Sequence, residues 1–318
     1  MAKQAVRFSK KQRTNYRFQK LKLCKKCYRY SVLQEEHCPD CGTALTGIEI
    51  LVKTMVKNRF LTEAIRILLV VCLGVILAPT MTAMYYSLIA GLLFCCSYII
   101  LATTFLKSEY FHQLKKLLRK DLRRIAAGIQ VDSDLANDDA KEGNLVQAYE
   151  KLRDISCLIS SSQMKIRQVR VLNEMALRSD MELELEGLIP SSYDRDFVKY
   201  ALEVLKINRT LISKKCIAYF AHYRDAVAVD FGRESLVSVA GTALRMKLYI
   251  LEFAPFIEEY LDYFPKERLL RLCSILQADP KAEWGSLWDK AQRLIAMKYA
   301  YDPNFKRFAA TEGIKSHV

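Results

Sequence analysis

From Ile67 to Leu106 the chain runs forty residues without a Lys, Arg, Asp, Glu or His. As one straight helix that block would be ~60 Å long, about twice the hydrocarbon thickness of a bilayer. Two passes joined by a turn suit it better. The expected break is Ala78-Pro79-Thr80, because Pro cannot donate its backbone bond and restricts the residue before it. The first pass is placed at about Leu61–Ala78 and the second at about Met84–Leu106, a two-helix transmembrane hairpin over 61–106. Tyr85 and Tyr86 then fall near the far interface. Glu63 and Arg66 fall at the near interface, where Arg66 can extend to the headgroups. A buried hairpin in a soluble protein is the competing reading, and uncharged runs of this length are rare in such cores. Ser87, Gly91 and Cys95 recur every four residues on the second pass, and Gly74 and Ala78 on the first. Small residues at that spacing let helices approach closely, either within the hairpin or in a homo-oligomer formed through it. Cys95 and Cys96 lie mid-span and read as small apolar residues.

Charge is arranged around this block. The whole chain carries a formal +14. Residues 1–66 hold a net +10, residues 107–125 a net +5, and residues 126–318 a net −1. All the excess positive charge flanks the apolar block, and the connecting turn has none. The positive-inside rule then puts the N- and C-termini in the cytoplasm, giving an integral membrane protein with two spans. The first 22 residues are basic and the apolar block begins far downstream, so no cleavable signal peptide is expected.

The most specific chemical motif precedes the block. Cys24-Lys25-Lys26-Cys27 and Cys38-Pro39-Asp40-Cys41-Gly42 are two CxxC pairs ten residues apart. Each pair can form a tight knuckle, and the four thiolates together can surround one ion. Four soft sulfur ligands in tetrahedral geometry select zinc. With no open coordination position implied, one structural Zn2+ is expected rather than a catalytic ion. The arrangement over Lys22–Ile48 resembles a zinc ribbon, which implies two knuckles on short β-hairpins over about residues 23–50. Tyr28–Leu33 alternates and suits a strand. A domain this small needs its metal to fold. Disulfides are disfavoured in the cytoplasm. A redox CxxC would need a thioredoxin-like βαβ setting. A rubredoxin-type iron site uses the same four thiolates. His37 adjoins Cys38 but is not needed as a ligand.

Two basic segments flank these elements. The arm over residues 1–22 carries Lys10, Lys11, Arg13, Arg17 and Lys20 among other cations, with no acid and with Phe8, Tyr16 and Phe18 interleaved. It is expected to contact anionic lipid or to act as a topology signal. Nucleic acid is the alternative partner, through phosphate neutralisation and stacking. After the block, residues 107–130 read as an amphipathic basic helix. Phe111, Leu114, Leu118, Leu122, Ile125 and Ile129 form its apolar stripe, and Lys115, Lys116, Arg119, Lys120, Arg123 and Arg124 lie mainly elsewhere. That helix either lies on the inner leaflet or packs as a stalk onto the C-terminal domain. The acidic stretch Val131–Glu142 is expected to be a linker or a helix start.

Residues 131–318 are expected to form an all-helical cytoplasmic domain. Gly (11) and Pro (7) are scarce, which favours helices over a turn-rich β fold. Loops are placed at Ser160–Ser162, Gly187–Ser192, Pro255, Pro265 and Asp279-Pro280. Asp196–Tyr223 gives the clearest helical spacing, and Met181–Glu186 alternates like a short strand. Leu135–Leu152, with Gly143 and Ala148, resembles one tetratricopeptide-type helix pair. No 34-residue period connects it to a second, so the domain is described only as helical-repeat-like. Cys157, Cys216 and Cys273, together with Trp284 and Trp288, read as core. No phosphate-binding loop, zinc-protease, nucleophile-elbow or dinucleotide motif is present, and no enzyme activity is expected.

The fold class is therefore a mostly α membrane protein with a small N-terminal zinc ribbon, a two-helix transmembrane hairpin and a C-terminal helical domain. The functional expectation is an integral-membrane adaptor that engages the lipid bilayer and presents the helical domain to a protein partner. Membrane-associated nucleic-acid or ribosome binding through residues 1–50 is the alternative. A transport-complex subunit is the third reading, weakened because neither pass has a charge in its interior.

Overall fold

The computed structural model describes residues 8–9, 14–280 and 282–309. These residues are mostly helical, with fourteen α-helices and one three-stranded sheet. The chain divides into two compact units, residues 11–159 and residues 160–318 with 1–10. The division falls after Ile159 rather than at residue 131.

The first unit opens with the sheet. Strands β1 (Lys22–Cys24), β2 (Tyr30–Ser31) and β3 (Leu45–Gly47) pair antiparallel in the order β2-β1-β3. Leu23 stands opposite Tyr30 on one side and Thr46 on the other. The strand expected over Tyr28–Leu33 shortens to β2, because Tyr28 has a positive φ of 57° and turns the chain out of the extended region. Helix α1 (Ile48–Ile76) starts directly from β3, and the Ile48 amide donates to the Leu21 carbonyl at 2.8 Å.

A turn over Leu77–Thr80 separates α1 from α2 (Met81–Lys120), where the proline was expected to break the helix. Thr80 caps α2 by accepting from the Ala83 amide. The two helices pack antiparallel through small residues. A Cβ at Gly74 would lie 2.7 Å from the Ser87 hydroxyl, and one at Gly91 would lie 2.7 Å from a Val71 methyl. The small-residue stripe thus serves contact inside the hairpin. Among the described residues one helix, α2, is long and apolar enough to cross a membrane. Helix α1 does not meet that measure, because Arg59, Glu63 and Arg66 leave it only Ile67–Ile76 free of charge.

Helix α2 continues without a break past Leu106 to Lys120, and Asp121 separates it from α3 (Leu122–Lys141). The amphipathic segment is therefore not a separate helix. Its first half extends α2 and its second half opens α3. The acidic stretch expected as a linker or a helix start is the end of α3, because Ile125, Ile129, Asp132 and Ala136 form one buried stripe that keeps the helix going. Gly143, at φ +83°, ends it in the left-handed region. Helix α4 (Leu145–Leu158) then returns along α3. These two form the helix pair that the sequence suggested.

The second unit contains α5 (Ser162–Glu174), α6 (Arg195–Ile207), α7 (Lys214–His222), α8 (Arg224–Phe231), α9 (Arg233–Ala243) and α10 (Lys247–Glu252), then α11 (Ala254–Tyr260), α12 (Lys266–Ala278), α13 (Leu287–Lys298) and α14 (Lys306–Ala309). The long helix expected over Asp196–Tyr223 is two. Asn208 accepts from the Thr210 amide at 3.0 Å and from its hydroxyl at 2.6 Å, closing a turn that stops α6 before α7 begins. Met181, Leu183 and Leu185 are buried in alternation, as expected of a strand, but no second strand pairs with them among the described residues. Pro255 lies in the first turn of α11 rather than in a loop, where its missing N–H costs nothing. Cys216 and Cys273 are buried core thiols, whereas Cys157, in α4 of the other unit, is half-buried. Trp284 is buried and donates its ring N–H to the Asp279 carbonyl at 2.9 Å.

Candidate metal centre

The two CxxC pairs fold into knuckles with the same backbone pattern. In the first, the Tyr28 amide donates to the Cys24 carbonyl at 2.9 Å and the Cys24 amide to the Arg29 carbonyl at 2.9 Å. In the second, the Gly42 amide donates to the Cys38 carbonyl at 2.8 Å and the Cys38 amide to the Thr43 carbonyl at 2.9 Å. The residue after each pair takes a left-handed conformation, Tyr28 at φ 57° and Gly42 at φ 66°. Glycine does this without strain and tyrosine does not.

The knuckles face one another. The sulfurs of Cys24 and Cys41 are 3.4 Å apart, those of Cys27 and Cys38 are 3.5 Å apart, and those of Cys41 and Cys27 are 3.9 Å apart. All four lie within 4.8 Å of one another, so they can hold one metal ion. A tetrahedral ion with bonds of ~2.3 Å to sulfur would set its ligands ~3.8 Å apart, which matches this spacing. His37 forms a β-bridge with Ala44 and is not among the converging donors. Cys24 and Cys38 are buried, while Cys27 is exposed. The Thr43 hydroxyl and amide draw the Cys41 thiol down to about 6. The Arg29 amide acts in the same direction on Cys27, but the neighbouring sulfurs and burial prevail and push that thiol up to about 12.

The cysteine-bearing segment is fastened to α3. Asp132 is fully buried and accepts from the Val32 amide at 2.8 Å, the Ser31 hydroxyl at 3.0 Å and the Arg29 guanidinium at 3.3 Å. Burial raises the carboxyl's pKa, and these three donors pull the other way. One turn earlier, Gly128 meets the backbone of Tyr30, whose hydroxyl donates to Asp121 at 2.7 Å. These contacts were missed in the sequence. Gly128 had a signal, since a glycine inside an amphipathic helix costs ~1 kcal/mol and marks a close backbone approach. Asp132 had none that set it apart from Asp134, Asp138 and Asp139.

The basic residues expected to meet lipid or nucleic acid are placed unevenly. Lys10, Lys11 and Arg13 lie outside the described residues. Arg17 is exposed. Lys20 is turned inward, its ammonium 2.8 Å from the Asp154 carboxylate, with side chains only 7% and 3% exposed. Lys115, Lys116, Arg119 and Lys120 are exposed on the last turns of α2, and Arg123 and Arg124 are exposed on the first turn of α3. Arg124 also lies over the Tyr28 ring, 5.6 Å from its centroid. No protein-family model, curated protein or solved structure matches the chain.

Proposed function

We propose that the chain is an integral-membrane adaptor. The α1–α2 hairpin enters the bilayer as two passes with both termini on the cytoplasmic side. The four cysteines hold one structural Zn2+, selected by its preference for soft tetrahedral sulfur ligands. The helical unit over 160–318 presents a surface to a protein partner.

One observation carries the membrane part. The hairpin turns its small residues inward and its large apolar ones outward, with Val70 70% exposed, Ile76 77% and Phe94 61%. Leu68, Leu69, Leu73, Leu92, Leu93 and Ile100 are exposed as well. Each large apolar side chain left in water forfeits about 1.5–3 kcal/mol. Nine of them, each about two-thirds exposed, together forfeit an amount comparable with the whole stability of an ordinary domain, ~5–15 kcal/mol. Lipid removes that cost. The charges of α1 are compatible with entry because Arg66 pairs with Glu63 at 2.8 Å and Arg59 pairs with Glu109. The exposed Lys115, Lys116, Arg119 and Lys120 sit on the same helix as its apolar stretch, which favours lipid phosphates over nucleic acid as their neighbours.

The test is fractionation of cells making the full-length chain, with a tag at either end. The expected result is a pellet that resists alkaline carbonate and dissolves in detergent, with both tags shielded from protease outside intact cells. Release by carbonate would refute membrane insertion, and cleavage of one tag would refute the two-pass topology. Co-purification from mild detergent should then recover the same partner with the full chain and not with a chain lacking 160–318.

A further inference from the structure

Near the turn, α1 and α2 touch through Gly74, Ser87, Val71 and Gly91. Further from it they are held apart. Phe60 and Tyr98 meet edge-on, with centroids 6.5 Å apart at 68°. Ala64, Ala102 and Thr103 leave room that no residue of the hairpin fills. Two adjoining cavities result, of about 500 Å³ and about 640 Å³, sharing Lys57, Phe60, Thr103 and Leu106. Their walls are almost wholly apolar. From Ile67 to Lys53 the groove runs ~21 Å at 1.5 Å per residue, somewhat more than the ~15 Å depth of one leaflet's hydrocarbon.

The end away from the turn is different. Lys53, Lys57 and Lys107 line it, all three exposed. The arginines of α1 each have an acid partner, Arg59 with Glu109 and Arg66 with Glu63. None of the three lysines has an ion-pair partner among the described residues. A long apolar groove ending in three uncompensated ammonium groups matches one ligand chemistry, an acyl chain joined to a phosphate. The ammonium serves as a compact point charge for phosphate.

We propose that the hairpin binds one anionic phospholipid, its acyl chain in the groove between α1 and α2 and its phosphate against Lys53, Lys57 and Lys107. This rests on the membrane reading above. It differs from general attraction to a charged surface because it requires the groove as well as the lysines.

The full-length protein is reconstituted in phosphatidylcholine vesicles with spin-labelled phosphatidylglycerol or spin-labelled phosphatidylcholine as the probe. Flotation shows whether the protein is inserted, and electron spin resonance reads the immobilised lipid. The expected wild-type result is preferential association of phosphatidylglycerol. Lys53→Gln/Lys57→Gln/Lys107→Gln should lower that preference about fivefold or more, while Lys115→Gln/Lys116→Gln/Lys120→Gln retains it. Ala64→Phe/Ala102→Phe, which leaves every charge in place, should reduce the immobilised fraction of both probes. Protein that does not float with the vesicles overturns the membrane reading and the site together. Protein that floats without preferring phosphatidylglycerol, or whose preference is lost equally with the outer lysines, overturns the site alone.

Discussion

Gly128 of α3 lies so close to Tyr30 of β2 that a Cβ at position 128 would sit 2.1 Å from the Tyr30 carbonyl oxygen. No L side chain fits there without moving the strand or the helix. In an exposed helix, Gly→Ala would add ~1 kcal/mol of stability. Here the clash is with backbone, which cannot swing aside, and overpacking of this kind costs about 1–3 kcal/mol. Gly128→Ala should therefore lower the melting temperature in detergent and open residues 22–47 to protease. Metal content should be unchanged, because none of the four cysteines touches position 128. A melting temperature equal to or above wild type would show that the two elements do not pack as described.

Asp132 makes the polar half of the same contact. Asp132→Ala would strand the Val32 amide and the Ser31 hydroxyl without an acceptor and remove a buried partner of Arg29. Breaking a buried charge pair of this type costs about 3–5 kcal/mol. Asp132→Asn keeps an acceptor oxygen and should lose less. Chemical denaturation of the three proteins checks the order; equal midpoints would remove Asp132 from the account.

Removal of the metal should loosen more than the knuckles. The first knuckle leads straight into β2, and β2 carries the groups that α3 holds. Treatment with a strong chelator should release one equivalent of zinc per chain. Amide exchange should then rise in residues 22–47 and also in 121–133. Exchange that rises in the knuckles alone would show that α3 is held independently of the ion.

The two knuckles differ in their left-handed residue. Gly42 has open space around it, so a substitution there is opposed by backbone conformation alone. Gly42→Ala should weaken zinc retention about five- to thirtyfold in a chelator competition, the equivalent of about 1–2 kcal/mol. Tyr28→Gly removes the same strain from the first knuckle and should retain zinc at least as well as wild type, despite losing the ring that Arg124 covers. Retention by Gly42→Ala equal to wild type would remove the left-handed requirement.

Glu63 and Arg66 lie within the segment assigned to the first pass. Glu63→Leu leaves Arg66 unpaired, and a lone arginine costs about 2.5–3.5 kcal/mol at the centre of a span on insertion scales and less toward the near interface. Carbonate-resistant insertion should fall. Glu63→Leu/Arg66→Leu removes both charges and should insert at least as well as wild type. The opposite order would mean that these residues lie outside the hydrocarbon.

Much of the site was legible in the sequence because its signals are local. The CxxC spacing places two sulfurs on each knuckle whatever surrounds them, and the four do converge within 4.8 Å. The break at Pro79 follows from the covalent structure of proline, and α1 and α2 end and begin around it. The uncharged block is a property of composition, and α2 carries most of it in one apolar helix.

Only the tertiary structure decided what each polar residue does. Lys20 has the sequence context of a free basic arm, yet it is buried against Asp154, more than a hundred residues away. Asp132 sits in a run of acids that resembles a linker, yet it is the buried acceptor that ties the cysteine-bearing segment to α3. Met181, Leu183 and Leu185 alternate like a strand and are buried like one, but a strand needs a neighbour and the described residues supply none. Spacing and periodicity act between residues close along the chain, so sequence determines them. The desolvation of a charge and the pairing of a backbone depend on what arrives from far along it, and only folding supplies that partner.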